Sequence, residues 1–457
     1  MGTNLRRGFS SFSSHRKAWS IQAPFAALIL WLFLWANLDT GFWDIVMPDS
    51  PQLWLSAVRA CLPFIVLPVS AFILIGKSTL ALPRSAPSRL LFVYGVVATL
   101  SGIYSPEPMW AAYWSIAYLA TILTAWTFID GRFPVESART MLLVTWLFTF
   151  LVTAYLGHSS STLIFGHSAS AYNHPEAGLD KVSRASGVAR WAAVPGLVCV
   201  IRAFYCRRIV LIACYLAAAC FCFFIVYRMQ SRGAVFGAFA ALVFILLLSS
   251  RMRKYALPFV ILSTVFLFLL ESPGVISEHV AEYLKRGQTE ESFESMTGRT
   301  HAYEHGIAAF GDAPIFGRGQ WTDRLVIYEH VHNSFLQALL NSGIVGGIPY
   351  FASWIAGWVM FFKLRNRWRW LGSQDRLCLL ESGAVMMFFT VRATPETTTA
   401  SFSVDLMVMV AIYVYLEITT LDVARRQVSS SQRPVFIVPS WGTEGQPGQI
   451  PRTISRR

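Results

Sequence analysis

Long apolar segments alternate with short polar connections along most of this chain of 457 residues. A helix that spans a lipid bilayer needs about 20 mostly apolar residues. Segments of this kind occur at residues 21–38, 53–75, 89–104, 109–129, 139–157, 186–204, 208–229, 231–248, 255–271, 335–362, 376–392 and 402–420. The pattern therefore predicts an all-α polytopic membrane protein with about 12 transmembrane helices.

Composition and charge distribution support this prediction. Hydrophobic residues make up 54% of the chain and charged residues only 14%, whereas soluble domains carry roughly 25% charged residues. Most lysines and arginines fall on one side of the predicted membrane if both termini are cytoplasmic, as the positive-inside rule requires. Because basic inner loops facing anionic lipid account for the net charge of +13, no nucleic-acid partner is predicted.

The predicted spans divide the chain into five parts, with two long connections on the outer side. The second long connection contains a pattern of apolar positions that predicts a short amphipathic helix at the membrane surface. The last part is rich in Ser, Pro, Gly and Gln, a composition typical of disorder. The predicted parts are a cytoplasmic segment at 1–20, nine spans at 21–271 with an outer loop at 158–185, a large outer loop at 272–334, three spans at 335–420 and a disordered cytoplasmic tail at 421–457.

Residues 296–346 form the one long polar stretch of the chain and contain several arginines and histidines. The arginine side chain offers five donors in a fixed fork that matches phosphate oxygens. Several arginines on the outer face therefore predict a bound polyanion at the level of the lipid headgroups, and a lipid-linked pyrophosphate meets both conditions. A single outer arginine has the simpler interpretation of a membrane anchor or ion-pair partner, which we assign to Arg59, Arg228, Arg324 and Arg392.

Ionisable residues within or beside the predicted spans are the strongest candidates for anion binding. Arg232 in SRGAVFG and Arg184 in SRASGV each follow a serine at a predicted helix start on the outer side. Arg190 lies within the sixth predicted span. We therefore expect these three arginines to face a common site.

Histidines near the tenth span are candidates for acid–base chemistry. His332 follows His330 by two residues in EHVHNSF, where a histidine can take a proton from a sugar hydroxyl. An equally simple interpretation is that His332 only hydrogen-bonds the start of the helix. The order HAYEH at 301–305 matches an inverted zinc-peptidase motif, but it falls on a predicted short surface helix, and no metal site is predicted.

The order of several short motifs resembles the O-antigen ligase and polymerase superfamily. These motifs are SRG at 231–233, TGRT at 297–300, the bend PIFGRGQ at 314–320 and HNSFLQALLNSGIVG at 332–346. The resemblance covers residues 184–350 directly, and the predicted topology extends it to the whole chain. It implies a bacterial inner-membrane glycosyltransferase of the GT-C type with its site in a large periplasmic loop.

The resemblance also implies a reaction and roles for individual residues. O-antigen ligases transfer a glycan from undecaprenyl pyrophosphate to a sugar of lipid A–core with inversion, using neither a metal nor another cofactor. Carried over by position, it makes Arg232 and Arg299 the arginines that bind pyrophosphate and His332 the catalytic histidine, with Arg184 and Arg318 as further binding residues. Asn333 is expected to orient His332 or the sugar, and Glu329 is a second candidate base.

Two groups of alternatives remain open at the level of sequence. An O-antigen polymerase or an O-linked protein glycosyltransferase of the same superfamily uses the same donor and differs in its acceptor. An anion transporter is an alternative of another class, because outer arginines could also line an anion path. Transporters typically contain inverted repeats and broken helices at mid-membrane, and this sequence shows no internal repeat.

Overall fold

A computed structural model describes residues 25–38, 51–77, 86–159, 185–229, 231–254 and 299–431 of the chain. No β-strand is present within these ranges. In chain order, the main helices are α1 (Phe25–Ala36), α2 (Pro51–Gly76), α3 (Pro87–Ser101), α4 (Pro108–Thr127), α5 (Pro134–Ser159), α6 (Ala185–Tyr205), α7 (Ile209–Arg228), α8 (Arg232–Leu248), α9 (Arg299–Asp312), α10 (Asp323–Val326), α11 (Ser334–Asn366), α12 (Ser373–Arg392) and α13 (Val404–Ser431). Short 3-10 helices lie at Gly102–Tyr104 and Trp368–Trp370.

The predicted all-α class is confirmed, and each predicted span within the described residues coincides with a helix. Among them, α2, α5, α6, α7, α11 and α13 are long and apolar enough to cross a membrane, while α1 and α8 are shorter apolar helices. The ninth predicted span at 255–271, the loop after 159 up to residue 184 and the part of the large loop up to residue 298 lie outside the described residues. The number of spans therefore stays a prediction.

The end of the last helix differs from the sequence-based boundary. α13 continues to Ser431, whereas the sequence predicts the end of the last span at 420 and a disordered tail from 421. The extension includes an ion pair one helical turn apart, with Arg426 Nη2 2.7 Å from Asp422 Oδ2. Pairs at this spacing stabilise a helix beyond its apolar segment.

The helices form a bundle in which α13 is central. The apolar window of α13 is 89% buried, compared with 22% for α2 and for α7, so these two helices lie at the periphery. α12 packs on α8 and α6, and α11 packs on α3 and α13. The beginning of α13, the end of α12 and the beginning of α11 thus meet at one end of the bundle, which we call the His332 end.

A break in α11 fixes the bend of residues 314–319 to the bundle. Gly343 has φ 59° and ψ −161°, so the helix is interrupted there. The backbone of the bend bonds to the groups that the interruption leaves open: Arg318 N donates to Leu340 O at 2.9 Å, and Ile344 N donates to Pro314 O at 2.8 Å. A Cβ at Gly343 would lie 2.2 Å from the carbonyl carbon of Ile315, so this close approach requires glycine.

Candidate active site

His332 lies in the short segment between α10 and α11. Its backbone has a positive φ of 47°, a conformation that is uncommon for a residue with a side chain and is often found at functional sites. The next residue, Asn333, caps α11, because its side-chain oxygen accepts hydrogen bonds from Phe335 N at 2.9 Å and Leu336 N at 3.0 Å. The cap of this helix is thus Asn333, and the His332 side chain points elsewhere.

The connector between α12 and α13, residues 393–403, is tied to the start of α11. Ser334 N donates to Ala393 O at 2.8 Å, and the Ser334 hydroxyl contacts Glu396 O at 3.1 Å. Thr398 N in turn donates to Ser334 Oγ at 2.6 Å. These bonds hold Glu396 beside His332.

Glu396 bridges two residues that the sequence predicts to be functional. Arg299 Nη2, at the start of α9, donates to Glu396 Oε1 at 2.8 Å. His332 Nδ1 lies 3.4 Å from Glu396 Oε2. Burial alone would raise the pKa of the Glu396 carboxyl, but the contact with His332 and the charges of Arg392 and Arg299 outweigh burial and hold this pKa well below its usual range. Glu396 is therefore an anion that orients Arg299 and can stabilise a protonated His332.

The start of α8 also reaches this connector. The position of a Cβ on Gly233 would be 3.7 Å from Pro395 Cγ and 4.0 Å from Glu396 Cγ. Arg232, the first residue of α8, is adjacent to that contact. The structure thus brings the backbone of Arg232, which the sequence predicts to be a site residue, next to the connector that carries Glu396.

A second group of charges lies beside the first, inside the bundle. Arg190 Nη1 on α6 donates to Asp405 Oδ2 on α13 at 3.3 Å, and Arg392 Nη1 at the end of α12 lies 3.9 Å from the same oxygen. Asp405 is completely buried and Arg392 is 1% exposed. Among the described residues, Arg392 Nε and Nη1 have no hydrogen-bond partner. Buried guanidinium donors without partners are rare in proteins and indicate a site for an anionic acceptor.

Other predicted residues have different surroundings. Arg184 lies outside the described residues. Arg318 Nη2 is 3.3 Å from the exposed carboxylate of Asp312, so its nearest described ion-pair partner is at the surface. Glu329 is half-exposed and lies 3.8 Å from His301. Within the described part of the chain, no group of three or more His, Cys, Asp and Glu side chains is arranged to hold a metal ion.

Sequence reasoning missed the two carboxylates. Glu396 and Asp405 belong to no motif. The sequence interpretation makes Arg392 a membrane anchor or an ion-pair partner, and in the structure its side chain is 2% exposed and faces Asp405. One available signal was the polar stretch ATPETTTAS between two spans, on the same predicted side as the large loop. A carboxylate in such a connector can reach the arginines of the loop.

Comparison with known protein families identifies the middle of the chain. A family model described as O-antigen ligase matches residues 216–351, a range that includes Arg232, Arg299 and His332. The match shows that this segment is similar to the O-antigen ligase and polymerase superfamily. No curated protein matches the chain significantly. The superfamily match and the apolar helices together indicate a membrane protein. The connector that carries Glu396 lies outside the matched segment.

Proposed function

We propose that this protein is an inverting glycosyltransferase that moves O-antigen glycan from undecaprenyl pyrophosphate to a sugar of lipid A–core at the periplasmic face of the bacterial inner membrane. The observation that carries the proposal is the contact of Arg299 and His332 with one carboxylate, Glu396. Arg299 and His332 fall in the O-antigen ligase segment. Their arrangement suits a reaction with an anionic leaving group and a hydroxyl nucleophile.

The arginines serve the leaving group in this proposal. As the bond between the anomeric carbon and the pyrophosphate oxygen breaks, negative charge develops on the departing pyrophosphate. Arg299, Arg232 and the buried Arg392 offer fixed donors to that charge, and such preorganised donors stabilise a transition state more than the ground state. Asp405, which also pairs with Arg190, holds Arg392 in place. The positive charge of these residues takes the part that a divalent cation plays in many other glycosyltransferases, so we propose that transfer needs no metal.

His332 serves the acceptor. Its ring takes the proton from the attacking sugar hydroxyl, and the new glycosidic bond forms as the bond to pyrophosphate breaks. Glu396, 3.4 Å from His332 Nδ1, stabilises the imidazolium that results, in the way that a carboxylate supports a histidine base in other enzymes. Glu329 remains a less favourable base because it is half-exposed and faces His301.

The test is transfer by the purified full-length protein in detergent. The donor is undecaprenyl-pyrophosphate-linked glycan, the acceptor is lipid A–core, and EDTA is present throughout. We expect glycan on lipid A–core, and we expect its formation to be lost in His332→Ala and in Glu396→Gln. Elongation of the donor glycan without transfer to lipid A–core would instead make the protein an O-antigen polymerase with the same site. Absence of both reactions, with anion flux in proteoliposomes, would favour the transporter.

Arg392→Lys gives an independent measure of the anion site. Lysine keeps the charge but lacks the fork of donors, so we expect a higher KM for the lipid-linked donor and a lower kcat, with the KM for lipid A–core unchanged. The matched control is Arg59→Lys on α2, because Arg59 donates to the backbone oxygens of Ala36 and Leu38 and has no role in the proposed site. An unchanged donor KM in Arg392→Lys would contradict the participation of Arg392.

A further inference from the structure

A second histidine with its own carboxylate lies directly beside His332. His330 Nδ1 is 2.7 Å from Asp323 Oδ2, and the same oxygen accepts a hydrogen bond from Val331 N at 3.2 Å. Asp323 is 1% exposed. Because a carboxylate can only accept, this contact places the His330 proton on Nδ1 and leaves Nε2 as a proton acceptor.

The ring of His330 contacts two other rings. Trp321 stacks on it at a centroid distance of 5.1 Å and an interplanar angle of 23°. The ring of His332 also contacts it, edge to face, at 4.6 Å and 70°. Trp321 has a positive φ of 58°, as His332 has one of 47°. The two rings that contact His330 thus belong to residues with a positive φ, and such strain is typically retained where geometry matters for function.

We propose that His330 takes the proton from His332 after each glycan transfer and releases it to solvent, with Asp323 stabilising the charged intermediate. This inference rests on the proposed function of His332 as the base. During transfer, the hydroxyl proton moves to His332. In the relay, a turn of the His332 ring brings its N–H into line with His330 Nε2. That N–H bond of His332 then breaks, a new N–H bond forms at His330 Nε2, and the positive charge moves from one ring to the other. Loss of the proton from His330 Nε2 to water restores both neutral rings.

The surroundings of the two rings explain why a relay is useful. His332 Nδ1 faces Glu396, and the imidazolium formed there during transfer must lose its proton before the next cycle. His330 keeps its side chain 13% exposed and so links the site to water. Burial lowers the pKa of His330, although the Asp323 carboxylate opposes that effect. His330 is therefore neutral at the start of a cycle and holds a proton only briefly.

His330→Asn is the variant that separates a relay from packing. The asparagine amide can donate to Asp323 from the position of Nδ1, but it has no nitrogen that accepts a proton. We expect kcat to fall by roughly tenfold or more, while the KM for the lipid-linked donor stays unchanged. Free imidazole added to the assay should restore much of the lost rate in His330→Asn and leave the wild-type rate unchanged, because a soluble base replaces the missing acceptor.

Two further proteins complete the test on the full-length chain. Asp323→Asn should also lower kcat, with partial recovery in imidazole. His305→Asn changes an exposed histidine on α9 and should behave as wild type. A wild-type kcat in His330→Asn, or a loss of rate that imidazole does not relieve, would overturn the relay while leaving the proposed function in place. Absence of transfer by the wild-type protein would overturn the proposed function and the relay with it.

Discussion

Helices α6 and α12 each contribute residues to an arginine–carboxylate contact at either end of the bundle. The two contacts differ in how many of their buried polar atoms have hydrogen-bond partners. At the end opposite to His332, Arg202 Nε and Nη2 donate to the two oxygens of Glu381 at 2.7 and 3.2 Å. Trp146 Nε1 adds a third donor to Glu381 at 3.0 Å. At the His332 end, Asp405 lies between two arginines, and Arg392 Nε and Nη1 lack hydrogen-bond partners among the described residues.

The difference indicates that the two contacts have different roles. Arg202 and Glu381 match each other in charge, and neither has a buried polar atom without a hydrogen-bond partner among the described residues. At the His332 end, three arginines surround two carboxylates: Arg190, Arg299 and Arg392 face Asp405 and Glu396. This excess of positive charge, with buried donors left over, is the electrostatic environment that a pyrophosphate would neutralise. Burial of charge alone therefore does not identify a site. Arg392 is set apart because its side chain is 2% exposed and two of its nitrogens lack hydrogen-bond partners among the described residues.

The largest expected effect is on activity at the His332 end. Arg299→Lys should lower transfer by roughly 10²–10³-fold, because an ammonium group cannot replace the paired donors of the guanidinium at Glu396 and at the leaving group. The measurement is the initial rate of transfer to lipid A–core per folded protein. Arg202→Lys is the matched change at the other end and should keep nearly normal activity per folded molecule. Near-normal transfer by Arg299→Lys would break the distinction between the two ends.

The helices of this protein were predictable and the partners of its arginines were not. Apolar segments of bilayer length follow from composition, so α2, α5, α7 and α13 could be placed from the sequence alone. The superfamily motifs likewise pointed to Arg299 and His332. The carboxylates that orient these residues lie in the connector after α12 and in α13, and no spacing rule links positions so distant in the chain.

The second expected effect is on stability at the opposite end. Glu381→Gln leaves the Arg202 charge buried without a counter-charge, and removal of one member of a buried pair costs roughly 3–5 kcal/mol. We expect a clear fall in the unfolding temperature in detergent. Replacing both residues with apolar ones, Arg202→Met with Glu381→Leu, should recover most of that loss. If the double variant were as unstable as the single one, the pair would have a role beyond mutual neutralisation.

A smaller effect is expected at the break in α11, which connects the bend to the His332 end. Gly343→Ala forces a side chain against the backbone of Ile315 at a positive φ, with a cost of about 1–3 kcal/mol for the strained conformation. The bend should loosen, so that transfer declines together with the unfolding temperature. Gly311→Ala is the matched control, since no atom lies within 4 Å of its Cβ position. Equal behaviour of the two variants would show that the bend is not held by this contact.

The smallest expected effect is a pH dependence at the His332 end. Burial lowers the pKa of His330, and the charges of His332 and Arg324 lower it further, against the opposing effect of Asp323. The folded protein therefore binds this proton less readily than the unfolded chain, where histidine titrates near a pKa of about 6.5.

The contribution of His330 to stability is accordingly greatest above that pH and declines as the pH falls through it. The unfolding temperature of wild type should drop more steeply between pH 8 and pH 5 than that of His330→Asn, whereas His305→Asn should leave the slope unchanged. A slope in His330→Asn equal to that of wild type would show that His330 is not held neutral by its surroundings, and the relay would lose its neutral acceptor.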